Sequence, residues 1–129
     1  MSLLIKQSDI QRNLQIIQMT IEKKMDSNNP HEVQNHLLDL SQLLSLSAVL
    51  QTSCKFFLEE KRKQAFSLCS EQLSVLGATL GRQLIDSHCS VELSAYTLAE
   101  RQNKAIVHQM DALRSVLSFS KSELENLKR

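Results

Sequence analysis

Taken alternately at every third and fourth position, residues 96–127 give Tyr96, Ala99, Asn103, Ile106, Met110, Leu113, Leu117, Ser120, Leu124 and Leu127. Most are apolar, and that spacing places them along one seam of a helix. The opposite side reads Arg101, Lys104, His108, Asp111, Ser115 and Ser118, with no apolar residue among them. A helix with one oily seam and one wet face must pack against something. The pattern predicts a final helix over about residues 90–122, with Ser90 as its N-cap and 121–129 fraying.

Upstream, Ile10, Leu14, Ile17 and Ile21 recur at intervals of four, three and four, predicting a first helix over 8–25. Ser8 and Gln11 would form its capping box. Lys23 and Lys24 suit the negative end of its dipole. Residues 26–29 break the pattern. Asn29, Pro30 and Glu32 then agree on one register for a new helix start: N-cap, first helical position and box partner.

From there a helical region over 30–76 carries Val33, Leu37, Leu40 and Leu44 on one face, with Leu38 and Leu43 widening it. Around Leu43, Leu44 and Leu46 the chain is apolar nearly all round. The Ser-rich run 45–53 marks a place for a kink near 45–47. Val49, Leu50, Cys54, Phe57 and Leu58 continue the stripe. Glu59, Glu60, Lys61, Arg62, Lys63 and Gln64 surround the whole helix with polar groups, so this turn predicts a solvated segment between two packed ones. Ala65, Leu68, Cys69, Leu73 and Leu76 then resume the apolar pattern. Gly77 and Gly81 read either as a close helix approach or, the favoured reading, as a weak joint over 77–89.

Composition narrows the class. The chain has 129 residues, two Gly and one Pro, which suits one domain and leaves too few turn formers for a β-rich fold. The expectation is an all-α antiparallel bundle of four to five helices with a long C-terminal helix. A net charge of +1 and an aromatic content of 4% supply neither a bulk field nor stacking platforms for nucleic acid. No apolar run approaches the roughly 20 residues of a membrane span. Cys54, Cys69 and Cys89 form an odd, widely spaced set, which suits a reducing compartment and points to a cytoplasmic protein.

Candidate chemistry adds little to this picture. His31 and His36 fall on different helix faces, His88 and Cys89 are adjacent, and no zinc-ligand spacing occurs, so no metal and no cofactor is expected. His108 and Asp111 make half a triad at most, on a wet face. Residues 77–81 lack the Lys-Ser/Thr ending of a phosphate loop. No catalytic residue is expected and the protein reads as a non-enzyme.

Asn103 interrupts the oily seam, as single asparagines do where they fix register in helical assemblies. Arg114 lies beside it. The helix seam out to Leu124 predicts self-association as a homodimer or higher symmetric oligomer, with Asn103, Met110, Leu113, Arg114, Leu117 and Leu124 contributing. The alternative is a single-stranded nucleic-acid module using Lys61, Arg62, Lys63 and Arg82. Glutamates beside that basic run argue against tight binding.

The pattern Arg101-x-Asn103 followed by His108-x-x-Asp111-x-x-Arg114-Ser115-x-x-Ser118-x-x-Lys121, with Asn29-Pro30-x-Glu32, Leu40-Ser41 and Ser47-Ala48, resembles small helical bacteriophage and prophage proteins of unassigned role encoded among replication and recombination genes. The likeness spans most of 29–121 and leaves 6–25 outside. It implies an all-helical cytoplasmic protein in a phage setting, accessory to replication or recombination and partnered there by another such protein. It transfers no active site.

Overall fold

The computed structural model describes residues 3–128. Among them lie five helices and no strand: α1 (Ile10–Ile21), α2 (Pro30–Leu68), the single turn α3 (Ser70–Leu73), α4 (Ala78–His88) and α5 (Ser90–Leu127). The all-α bundle with a long last helix is therefore the architecture. α2 and α5 contain 39 and 38 residues, so each is about 57 Å long.

Cross-helix contacts set the directions. Gln102 and Gln109 reach the backbones of Leu14 and Ile21 respectively, so α1 and α5 run parallel. Asn103 meets Ser47, and Cys89 packs with Leu58 and Ala65, so α2 runs antiparallel to both. Ile10, Leu14 and Ile17 meet Val33, Leu40 and Leu50 of α2 and Ile106, Met110 and Leu113 of α5 in one core. Each large side chain buried there contributes about 1.5–3 kcal/mol.

The predicted seam of α5 faces that core through Leu117, and its predicted wet face is exposed at every named position. The seam then emerges into solvent, with Leu124 and Leu127 58% and 83% exposed. Extending the Asn103–Ser47 register puts Ser120 opposite Pro30, so the last turns of α5 run past the start of α2. They stay helical to Leu127 rather than fraying from 121; Arg129 lies outside the described residues.

Other boundaries shift for local reasons. Ser8 sits in a 3-10 turn, Gln7–Asp9, and no side chain caps α1; Asn13 Nδ2 instead donates to the Asp9 carbonyl at 2.8 Å. α1 stops at Ile21, with Met25 packing on the core outside the helix. The Asn29 cap is present: its Oδ1 accepts from the His31 N–H at 3.1 Å, with Pro30 first in the helix. Glu32, however, accepts from Asp26 N at 2.7 Å rather than closing a box on Asn29.

α2 passes 45–47 without a break. Its serines serve close approach there: Ser47 is buried and accepts from Asn103, and Ser53 accepts from Ile5 N at 2.9 Å. The stretch 77–89 is mostly helix α4 rather than a joint. Gly77 stands at its N-cap in extended backbone, while Gly81 is buried with Leu73 Cδ2 only 3.2 Å from where a Cβ would sit. Gly81 is thus the close-approach glycine and Gly77 the end of the turn. The turn Cys89 places α5 so that Ser90 is its first residue and not its side-chain cap.

Candidate functional site

α1 and α4 flank the α2/α5 pair on opposite sides. On α2, Ser53 meets the segment leading into α1 and Arg62 meets α4. These positions are nine residues apart, which at about 100° per residue sets them half a turn out of phase.

α2 ends at Cys69, whose φ of −102° and ψ of 16° leave the helical region. Ser67, Cys69 and Ser70 are weak helix formers in sequence, and Cys69 is buried rather than facing water. The chain makes the single turn α3, and Ser74 Oγ donates to the Glu71 carbonyl at 2.6 Å. It then crosses Val75 to Gly77 and returns along α2 as α4. The return is only partly filled. Between the end of α2 and α4 lies a groove of about 700 Å³.

Phe66, Leu73, Leu76 and Ile85 give the groove an apolar lining, and Arg62, Arg82 and Asp86 its polar rim. Phe66 is 63% exposed within this lining; Leu68, Val75 and Leu80 are exposed too but outside it, Leu68 lying about 200° round α2 from Phe66. Leu68 therefore does not continue the buried stripe its spacing predicts.

The basic residues are not equivalent. Arg62 lies 3.6 Å from Asp86 Oδ1 and 3.4 Å from Glu59 Oε1, and Lys63 lies 3.4 Å from Glu60. Arg82 is exposed on the rim with no ion pair among the described residues. Arg62 and Arg82 share the groove, whereas Lys61 and Lys63 are not part of its lining. The four predicted nucleic-acid contacts therefore do not form one basic surface.

The predicted self-association residues separate too. Met110 and Leu113 are 4% and 5% exposed in the chain's own core, so neither is a surface residue. Asn103 is half-buried and donates to Ser47 Oγ at 3.3 Å. Leu117 packs on the core edge, Arg114 is held by Asp111 at 3.3 Å on the exposed side, and Leu124 faces solvent.

Gln102 and Gln109 escape the seam pattern because they lie beside it, on the line of α5 that faces α1. Gln102 is 2% exposed and donates to the Leu14 carbonyl at 2.8 Å and to Gln18 Oε1 at 3.1 Å. Gln109 donates to the Ile21 carbonyl at 3.0 Å, where α1 ends. The signal available in the sequence is their seven-residue spacing in register with Ala95.

Among the described residues no three His, Cys, Asp or Glu side chains gather as a metal site. His108 and Asp111 are both exposed, and Asp111 is engaged by Arg114. All three cysteines are free and buried. Burial pushes the Cys54 thiol up to about 11, and burial followed by the charge of Glu92 raises Cys89. These are poor nucleophiles at neutral pH. No helix among the described residues is long and apolar enough to cross a membrane.

Compared with protein-family models, with curated proteins and with solved structures, the chain matches none.

Proposed function

We propose that this protein is a non-enzymatic helical interaction module whose working surface is the groove between α2 and α4. One observation carries the reading: Phe66 stands 63% exposed in the wall of a groove whose apolar lining is completed by Leu73, Leu76 and Ile85. An amphipathic helix laid into such a groove buries its apolar anchors there and satisfies its own backbone internally. Arg82 adds a cation for an acidic side chain on that helix. A setting in phage DNA replication or recombination draws on the resemblance of the 29–121 segments. Three free buried thiols support a reducing, cytoplasmic compartment.

Direct single-stranded nucleic-acid binding is the weaker reading, because Arg62 and Lys63 already carry carboxylate partners. A photo-cross-linking phenylalanine at position 66 tests the choice in the cell that makes the protein, with the exposed Leu38 on the other end of α2 as control. Adducts to a polypeptide at 66 and not at 38 are expected. Nucleic-acid adducts at 66, or none at either position, would overturn the reading.

A further inference from the structure

The far end of α5 carries the complement of the groove. Phe119, Glu123, Leu124 and Leu127 fall within one arc of about 140° on the helix. Phe119, Leu124 and Leu127 are 65%, 58% and 83% exposed. Glu123 is exposed, lies within this apolar arc and has no ion pair among the described residues. A face of three large apolar side chains around one unpaired carboxylate matches an apolar groove rimmed by one unpaired guanidinium.

The two surfaces cannot meet within one copy. The groove adjoins the start of α5, where Cys89 packs on Leu58 and Ala65. Leu124 lies on the order of 50 Å further along the same helix. They also face opposite ways. Leu127 is eighteen residues beyond Gln109, five whole turns, so it points to the flank that α1 occupies lower down. The groove opens on the flank of α4.

We infer that the far end of α5 from one copy docks, through Phe119, Leu124 and Leu127 with Glu123 toward Arg82, in the α2/α4 groove of a second copy. The inference rests on reading that groove as a helix-docking surface. Two rods related by a two-fold axis across their length would each turn the groove away from the other's exposed face. A staggered end-to-end step brings groove and face together instead. The contact is heterologous, and repeating it adds copies in a row rather than stopping at two. This assembly replaces the symmetric pairing through the middle of the seam, where Met110 and Leu113 are already buried.

Light scattering behind a sizing column, run from low to high micromolar protein, reads the assembly. The mass of the unaltered chain should climb past a dimer as concentration rises. Arg82→Glu and Glu123→Arg should each weaken association at least about tenfold, with helical circular dichroism unchanged, since both side chains are exposed. Mixing the two variants should restore association, because each groove then faces an opposite charge. A monomer at every concentration, a mass that levels at a dimer, or charge reversals without effect singly or mixed would each overturn the inference. A polypeptide adduct at position 66 together with a strictly monomeric chain would leave the docking reading standing and remove this one alone.

Discussion

Gln102 shows how a single polar residue orders the bundle. Its amide nitrogen reaches two acceptors on α1 while its Oε1 is buried without a partner. A neutral side chain of similar volume gives up two modest hydrogen bonds but also removes an unsatisfied buried atom, which offsets much of the loss, so Gln102→Met should stay within about 1 kcal/mol of the parent. Gln102→Glu buries a carboxylate with no cation beside it and should cost at least about 3 kcal/mol at neutral pH. Its raised pKa means part of that loss returns on acidification, as the carboxyl takes up a proton. Urea midpoints of the two variants at neutral and mildly acidic pH check both directions.

Cys54 gives a pH dependence of the same sign, in an alkaline window. Its folded-state pKa of about 11 stands above the ordinary 9.0 because burial disfavours the thiolate. The thiol's contribution is therefore fully present below pH 9 and fades as pH climbs toward 11, by on the order of 2 kcal/mol. Denaturation profiles should fall less steeply over that window in Cys54→Ala, whose cavity lowers stability at every pH. Seam periodicity foretold the burial of such residues; it did not foretell Gln102. Hydrophobic pattern rules treat glutamine as surface, and only the proximity of α1 gives this one its acceptors.

Among elements, α4 departs furthest from its sequence signal. Two glycines within five residues read as a joint on propensity alone, yet the segment has something to lie on: Ile85 packs at the Leu58, Ala65 and Cys89 cluster. Tertiary packing overrides the propensity penalty. Gly77 sits at the α4 N-cap at φ −67°, with open space where a Cβ would sit and no side-chain cap. Gly77→Ser should stabilise by about 0.5–1 kcal/mol through a new cap and a less flexible unfolded chain. Gly81→Ala meets only the end of the Leu73 side chain, so its helix-propensity gain of up to about 1 kcal/mol competes with a small adjustment there. Chemical denaturation should find Gly81→Ala no more than about 1 kcal/mol from the parent. Where independent signals agreed, as at Asn29 and Pro30, the boundary was legible to the residue. Where a single weak signal stood alone, as with Ser8 and Gln11, it was not.

For the whole molecule, α2 and α5 make a rod that α1 covers along its middle and α4 at one end, on opposite flanks. That arrangement leaves a charged apolar groove at one end and an apolar face bearing a carboxylate at the other. The sequence made the all-helical class and the main seam readable, because both are repeating patterns. It could not show the groove, whose walls come from the end of α2, the α3 turn and α4 and are joined only by folding. Salt-bridged Arg62 and Lys63 also keep the rod from offering a basic surface. Single-stranded DNA should bind no tighter than about 10 micromolar at physiological salt, and fluorescence anisotropy with a labelled oligonucleotide checks this.

Amide hydrogen exchange at two protein concentrations tests the docking of groove and helix end most directly. On concentration, peptides covering 73–82 and 117–127 should gain protection together, while those covering 33–50 stay unchanged. Protection that ignores concentration in both segments, or that rises instead along the middle of α2 and α5, would contradict it.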